Sequence, residues 1–200
     1  MRNFFMLLFL LLLLFVPLLI GQSTSEDFVT DGLLDDIDQD FESAIINYTL
    51  AIKLDPKDGL VYKLRGQDRY KMKDYDGAIA DITRSIDLGF KFDLSNTYVF
   101  LGIVREAKKD LKGAIADHTK AIEINSKNVD AYYFRGLMRF MIKDYQEAIN
   151  DFTESIKIDP KFEFGANYIQ RARAYRAMNK ISLAVADEKK AAALAKPRNR

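Results

Sequence analysis

The sequence of 200 residues contains no cysteine and no tryptophan, and it has a single histidine, His118. Without cysteine the chain can form no disulfide, and it has no thiol nucleophile and no thiolate metal site. One histidine is too few for a histidine-rich metal site and for most catalytic triads. The formal net charge of +1 argues against a protein that binds nucleic acid or anionic membranes through bulk electrostatics.

Residue patterns typical of catalysis are also missing from the sequence. There is no Ser/His/Asp order, no phosphate-binding loop and no metal-ligand spacing. The acidic residues over positions 35–40 have neither the glycine nor the spaced ligands of a calcium loop, so we interpret the acidic run as a solvated face. The sequence therefore predicts a protein that is not an enzyme and that uses no cofactor and no metal.

Residues 1–23 differ in composition from the rest of the chain. Arg2 precedes an apolar run over residues 4–20, and the polar residues 21–25 follow. This order is typical of a secretory signal, with cleavage fitting best after Ser23. The run is also just long enough to span a bilayer. We predict a cleaved signal peptide or a retained membrane anchor, and in either case an exported chain that is periplasmic or secreted.

A short phrase, Ala-Ile or Ala-Val, recurs along the remaining chain at intervals of 34, 36, 34 and 36 residues. Its alanines are Ala44, Ala78, Ala114, Ala148 and Ala184. An aromatic or aliphatic residue stands three positions before each phrase, and Ala or Ser stands seven positions after it. A fixed period of this length indicates a stack of similar supersecondary units. Such a stack favours holding a partner over transforming a substrate.

Alignment of the phrases divides the chain into repeated units, with Asp93-Leu94 and Glu163-Phe164 as inserted pairs. The units are 25–58, 59–92, 95–128, 129–162 and 165–198. In unit four, a 3.6-residue apolar pattern stops at Lys143-Asp144 and resumes until Pro160. The pattern therefore predicts two helices in each unit. Because the break between them is so short, the two helices must be antiparallel. Small residues recur where these helices should cross: Gly66, Gly102, Gly136 and Ala172.

These positions resemble the tetratricopeptide repeat family. Its pattern of aromatic, glycine, alanine and proline residues appears in unit four as Tyr132, Gly136, Tyr145, Ala148, Phe152, Ser155 and Pro160. The resemblance implies an all-α fold, namely a right-handed α-solenoid of antiparallel helix pairs. Residues 24–58 form a degenerate first unit whose first half keeps only Phe28 and Gly32, and this half is either frayed or an atypical cap. Four clear units follow over residues 59–198.

Three units place an Arg and an Asp sixteen positions apart, on helices that should face each other. The predicted pairs are Arg65–Asp81, Arg135–Asp151 and Arg171–Asp187. In unit three Leu101 replaces the arginine, so Asp117 must find water or another cation. We interpret the repeated pairs as structural, because an active site is rarely copied three times. His118 occupies an aromatic packing position of the repeat, which predicts a packed side chain.

The resemblance also implies that the first helix of each unit faces a concave groove. The groove positions carried over from the family are Lys63, Gln67, Lys71, Val99, Ile103, Tyr133, Leu137, Phe140, Ile169, Arg173 and Arg176. The centre of this set is apolar and aromatic, with basic groups at both ends. Such a groove suits an extended segment or a helix with apolar anchors and acidic flanks. Alternatively, the acidic first segment or another copy of the chain covers it.

We therefore predict an exported scaffold that binds a protein or peptide partner in the groove and does not bind nucleic acid. Contact with a membrane would come only through residues 4–20, if they are retained. The alternative is a non-catalytic accessory subunit of an envelope enzyme or an assembly complex. Both readings of the function rest on fold analogy.

Units two and three also resemble units four and five at a shift of 70 residues. Tyr62, Arg65, Gly66 and Arg69 reappear as Tyr132, Arg135, Gly136 and Arg139. Lys91-Phe92 likewise reappears as Lys161-Phe162. A duplicated pair of units explains both this identity and the matching insertions.

Overall fold

The computed structural model describes residues 23–195, and within that range the chain forms ten α-helices, one short 3₁₀ helix and no strand. The helices are α1 (Ser25–Ile37), α2 (Phe41–Leu54), α3 (Gly59–Lys71), α4 (Tyr75–Asp87), α5 (Leu94–Ala107), α6 (Leu111–Ile124), α7 (Val129–Met141), α8 (Tyr145–Ile158), α9 (Ala166–Ala177) and α10 (Ile181–Ala195). The 3₁₀ helix, Phe162–Gly165, precedes α9. The predicted signal or anchor falls almost wholly outside the described residues, among which no helix has the length and apolar character needed to cross a membrane.

Acidic and amide side chains begin most of the helices. Asp40, Asp74 and Asp110 each accept a hydrogen bond from the backbone N–H three residues on, and Asn128 does the same for α7. These bonds satisfy amides that have no partner within the helix. The turn between the two helices of a pair has one residue in the left-handed region, as at Lys143 with φ 67°. The break that the sequence places at Lys143-Asp144 is thus a tight turn.

Helix α1 is capped at its start and packs against α2. Thr24 and Asp27 form a capping box at its start, in which each side chain binds the other residue's backbone N–H. Phe28 and Val29 pack against the buried core of α2 that contains Tyr48. The first half of unit one is therefore a helix that closes one end of the stack, despite its acidic sequence.

Close helix contact within a pair depends on glycine facing a large side chain. Gly102 in α5 lies against His118 in α6, and Gly136 in α7 lies against Phe152 in α8. A Cβ added at Gly136 would stand 2.7 Å from Cε1 of Phe152, well inside contact distance. The repeated alanines lie at the same crossings and are fully buried: Ala44, Ala78, Ala114, Ala148 and Ala184. Small residues thus let the two backbones approach, as the sequence predicts.

The three predicted ion pairs are confirmed. Arg65 donates from Nε and Nη2 to the two carboxylate oxygens of Asp81, at 2.8 and 2.7 Å. The pairs Arg135–Asp151 and Arg171–Asp187 have the same two-pronged geometry. Such planar pairing is the strongest form of the Arg–carboxylate bond. It joins the first helix of a unit to the second.

Asp117, which has Leu101 in place of the usual arginine, pairs with Arg105, one turn further along α5. Arg105 Nε donates to Asp117 Oδ2 at 2.7 Å. The equivalent arginines in units two and four, Arg69 and Arg139, also bind the aspartate of their own unit. Units two and four therefore have two arginines on one carboxylate, whereas unit three has one.

The same arginines connect neighbouring helix pairs through threonine. Arg65 Nη1 donates to Thr49 Oγ1 of α2 at 3.0 Å, and Arg135 and Arg171 donate in the same way to Thr119 and Thr153 of the preceding pair. At the junction of α4 and α5 the corresponding threonine, Thr83, is exposed, and Leu101 stands in place of the arginine. That junction lacks the link.

The pairs stack into a solenoid, with the second helix of one pair packed on the first helix of the next. The first helices also approach one another, since α5 contacts α7 and α7 contacts α9. The second helices of neighbouring pairs are further apart. The first helices therefore line the inner surface, and the expected all-α solenoid of helix pairs is confirmed.

Candidate functional site

Two hollows open on the inner surface. The first hollow has a volume of about 380 Å³ and is lined by Asp36, Gln67, Tyr70, Lys71 and Phe100. The second hollow has a volume of about 430 Å³ and is lined by Glu106, Leu137, Phe140, Met141, Lys143, Tyr145 and Arg173. Four lining positions correspond at a shift of 70 residues: Asp36 with Glu106, Gln67 with Leu137, Tyr70 with Phe140, and Lys71 with Met141. The two hollows are thus counterparts in the repeated architecture.

The acidic groups at the first hollow are paired with a cation of the chain itself. Lys71 Nζ donates to Asp36 and, at 3.1 Å, to Oδ1 of Asp68, and it lies 4.4 Å from the centroid of the Phe41 ring. Asp68 is 2% exposed, and its burial raises its pKa to about 6 although Lys71 opposes the rise. Lys71 therefore neutralises two acids and joins α3 to α1.

The second hollow does not have this arrangement of a lysine paired with two acids. Met138 and Met141 occupy the positions of Asp68 and Lys71, and Glu106 retains the acid of Asp36. Among the described residues, Glu106 forms no ion pair and no side-chain hydrogen bond; burial alone raises its pKa. It stands in the last turn of α5, where the helix dipole disfavours a negative charge. The hollow therefore contains a half-buried acid without a counter-ion.

The opposite wall of the second hollow is aromatic, with a cation at its rim. The ring of Phe140 lies 5.3 Å from that of Tyr145, and the guanidinium of Arg173 lies 5.2 Å from the centroid of Phe140. Arg173 also donates to Oε1 of Gln170. Met141 is 53% exposed beside them. This wall offers apolar area and a positively charged edge that remains open to solvent.

Tyr133 belongs to an aromatic cluster. Its ring centroid lies 5.2 Å from Phe162 and 5.4 Å from Phe134. Burial raises the pKa of Tyr133. Much of its side chain is therefore used in packing α7 against the 3₁₀ helix.

The other predicted groove residues lie in several surroundings. Val99 is 6% exposed and packs with Ala121 and Ala131, so it belongs to the core, and Ile103 packs beside it. Lys63 lies 5.6 Å from the centroid of Phe90. Ile169 is 48% exposed. The predicted set thus includes core as well as surface residues.

Three of the predicted residues, Leu137, Phe140 and Arg173, come together in the second hollow, and Gln67 and Lys71 come together in the first. Arg176 instead pairs with Glu188 at 2.8 Å. The basic ends expected for the groove are therefore reduced, because Lys71 and Arg176 already have carboxylate partners. The role of the set in binding a partner stays a prediction.

Sequence reasoning missed Glu106 and Tyr70 as lining residues. Both occupy the repeat position of Phe140 and Arg176, which the family pattern had marked as groove-facing. The signal was therefore present, and applying that position to every unit would have found them. The repeat pattern gave no signal that Glu106 lacks a counter-ion. The equivalent acid of the first hollow finds its counter-ion through a contact between α1 and α3, which the pattern does not specify.

His118 is fully buried, as predicted from its packing position. Its ring stacks on Phe134 with centroids 5.8 Å apart. Neither ring nitrogen has a hydrogen-bond partner among the described residues. Burial and, secondarily, the charge of Arg135 lower its pKa to about 4. In the described part of the chain, no group of three or more His, Asp or Glu residues is placed to hold a metal ion.

The repeat assignment has support from known proteins. Residues 129–162, which are unit four, match the family model described as tetratricopeptide repeat. No curated protein matches the sequence. The family match covers one of the five repeated units, and the solved structures described next bear on the fold.

Similar solved structures cover most of the chain. A structure of MamA has 24% identity and a TM-score of 0.78, over 85% of this chain and 91% of that chain. A structure of MamA from residue 41 to its end, from Desulfovibrio magneticus RS-1, has 14% identity and a TM-score of 0.79, over 88% and 97%. YrrB, described as a TPR protein with an unusual peptide-binding site, has 18% identity and a TM-score of 0.73, over 88% of each chain. At this level of identity the likeness shows the fold.

Proposed function

We propose that the chain is a non-catalytic scaffold that binds a segment of a partner protein on its inner surface, at the second hollow. One observation carries the proposal: the second hollow combines an open apolar wall with an acid and a cation that form no ion pair among the described residues. A few placed polar groups within an apolar concavity are typical of a binding site. Because these charges are unpaired, they do little to stabilise the fold and are better suited to pairing with a partner.

The likeness to YrrB supports the choice of a peptide segment as the occupant, since YrrB is described as having a peptide-binding site. The described part of the acidic first segment is a poor candidate for covering the second hollow. Helix α1 packs on α2, and its Asp36 is bound to Lys71 at the first hollow. A second copy of the chain is an outcome that the experiment below can reveal.

The binding proposal can be tested by photo-crosslinking in the native cell. A photoreactive residue replaces Leu137 in the second hollow or, as a control, the exposed Asn150 on α8. We expect adducts with another protein from position 137, and their loss when Phe140→Asp is added to the same chain. The matched change Asn150→Asp should leave them intact.

Two results would contradict the proposal. Equal adducts from positions 137 and 150 would show that the inner surface is not selective. Adducts joining two copies of this chain would show that the hollow serves self-association. Circular dichroism and thermal melting of the Phe140→Asp chain would establish that it is folded.

We further propose that the scaffold acts outside the cytoplasm, on the strength of the charged, apolar and small-residue order of residues 1–23. Mass spectrometry of the protein from fractionated cells gives the mature N-terminus. A chain that begins at Thr24 supports a cleaved signal, and an intact chain in the membrane fraction supports an anchor. An intact chain in the cytoplasmic fraction would refute export.

A further inference from the structure

We infer that the second hollow takes a basic side chain of the partner, a lysine or arginine that pairs with Glu106, beside an apolar side chain that packs on Phe140 and Met141. This inference rests on the proposed function and specifies the chemistry of the segment that binds. The partner is thus a protein segment in which a cationic residue and an aliphatic or aromatic residue reach the hollow together.

The first hollow shows what Glu106 lacks. There Asp36 receives a hydrogen bond from Lys71 of α3, whose ammonium group lies 4.4 Å from the centroid of the Phe41 ring. In the second hollow the acid remains as Glu106, while the lysine position holds Met141. A lysine supplied by a partner would restore the same acid–cation pair with its stem along Met141 and Phe140.

The negative charge of Glu106 is unfavourable in the unbound chain, and this unfavourable free energy favours a cation over a neutral ligand. Its carboxylate is half-buried, its pKa is raised by that burial, and it stands in the last turn of a helix. A basic group would offset all three effects at once. Charged groups that pair in partly desolvated positions discriminate strongly against partners of the wrong sign.

Arg173 and Lys143 also line the hollow, but they do not compete with the partner's cation. Among the described residues, neither forms a salt bridge with Glu106. Arg173 is exposed, lies over the ring of Phe140 and is bound to Gln170, and Lys143 is exposed in the turn after α7. These two cations are at the rim, where solvent screens their charge. Glu106 is the more buried charge and therefore the more selective one.

The test uses a random peptide library displayed on phage and selected on the purified full-length chain. Three proteins are compared: the natural chain, Glu106→Gln, and Glu42→Gln as a matched control at an exposed acid of α2. We expect the natural chain and Glu42→Gln to enrich peptides with Lys or Arg at a constant spacing from an apolar residue. Glu106→Gln should keep the apolar preference and lose the basic one.

The failures of the two proposals are distinguishable in this experiment. Enriched peptides with no basic preference, or with the same basic preference in Glu106→Gln, would overturn the inference and leave the proposed function in place. If the folded natural chain enriches no peptide, both the proposed function and the inference fail. Near-ultraviolet circular dichroism reports whether each variant is folded.

A double-mutant cycle on one enriched peptide locates the contact. Replacing its basic residue by alanine should weaken the Kd roughly tenfold, and so should Glu106→Gln, because both remove a charge-assisted hydrogen bond. The two changes together should weaken binding no further than either alone. Additive losses would show that the basic residue binds elsewhere.

Discussion

The first four helices, α1–α4, and the next four, α5–α8, are built alike but treat their inner surfaces differently. Both halves keep the arrangement of two arginines on one aspartate, at Asp81 and at Asp151. In the first half Lys71 pairs with the acid of its hollow, Asp36, whereas in the described part of the second half Glu106 has no counter-ion. The comparison teaches that the Arg–Asp pairs joining the helices are kept in both halves, whereas the residues of the inner surface vary independently of them. Charges within the Arg–Asp pairs stabilise the fold, and charges of the inner surface that form no such pair are available to a partner.

A second difference lies in the cores of the two halves. Tyr48 in α2 and His118 in α6 are equivalent at a shift of 70 residues, and both are fully buried against a glycine. The hydroxyl of Tyr48 and both ring nitrogens of His118 lack hydrogen-bond partners among the described residues. Only the histidine changes its charge within the ordinary range of pH, so this core position is pH-sensitive in the second half alone.

The largest effect on stability should come from removing the Arg–Asp pairs, which both halves contain. We expect Asp81→Ala and Asp151→Ala each to lower the free energy of unfolding by about 3 kcal/mol, because each leaves a largely buried arginine, Arg65 or Arg135, without its carboxylate. Asp117→Ala should cost only about 1–2 kcal/mol, because Arg105 keeps its bond to Asp110. Urea denaturation measures all three. Equal losses at Asp117 and Asp151 would contradict the ranking, and no loss at Asp81 or Asp151 would mean that these pairs contribute little.

A somewhat smaller effect should follow when the first hollow is made to resemble the second. Lys71→Met leaves the buried Asp68 without its cation and should destabilise the chain by about 2 kcal/mol. Adding Asp68→Met copies Met138 as well as Met141 and should recover most of the loss in the same denaturation assay. Met141→Leu is the matched control and should be nearly neutral. A double variant that is less stable than Lys71→Met would contradict the equivalence of the hollows.

The core difference predicts a stabilising change at His118. His118→Phe, which copies Phe152 of the next unit, should raise the free energy of unfolding by about 1 kcal/mol at neutral pH, because it removes buried nitrogens without partners. The pKa of His118 is near 4 in the folded chain, against 6.5 for a free histidine. Between these values the unfolded chain binds a proton that the folded chain does not, so the natural chain loses stability as the pH falls.

Thermal melts from pH 7 to pH 4 provide the check on this change. The advantage of His118→Phe should grow as the pH falls from 6.5 towards 4 and then level off. Tyr48→Phe is the control in the first half, and its effect should not change over this window. A constant advantage for His118→Phe would show that the histidine is not held neutral.

The smallest effect should distinguish the two acids of the hollows. Glu106→Gln should stabilise the unbound chain by about 0.5 kcal/mol at neutral pH, since it removes a negative charge from the end of a helix. The pKa of Glu106 is raised, so its charged form destabilises the fold at high pH and the gain should vanish below pH 4. Asp36→Asn, which deprives Lys71 of a partner, should destabilise instead. The same sign for both variants in differential scanning calorimetry would refute the comparison.

Most of the fold could be predicted from the sequence because the period repeats the same local solution. Each Ala-Ile phrase and each facing glycine recurs at a fixed offset, so errors in one unit are corrected by the others. The ion pairs could be predicted for the same reason, since an offset of sixteen residues places Arg135 and Asp151 on facing helices. The partner of Asp117 could have been found too, because Arg69, Arg105 and Arg139 recur.

The candidate site could be predicted only in part, because its character comes from exceptions to the period. Leu137, Phe140 and Arg173 were marked by their repeat positions, and these residues meet in the second hollow. The charge pairing at the first hollow depends on Lys71 reaching Asp36 in another unit, which no local pattern specifies. Val99 has a groove position by offset, but the packing of α5 against α6 buries it.

The replacement of an arginine by Leu101 has a consequence for how the array comes apart. Every other junction between consecutive pairs has a hydrogen bond from arginine to threonine, and in stacked repeats such nearest-neighbour contacts set how far unfolding spreads. We therefore expect two cooperative blocks, α1–α4 and α5–α10, that exchange their amide hydrogens at different rates. The first hollow, which Phe100 of α5 helps to line, would then span the boundary between the two cooperative units, whereas the second hollow would lie within one of them.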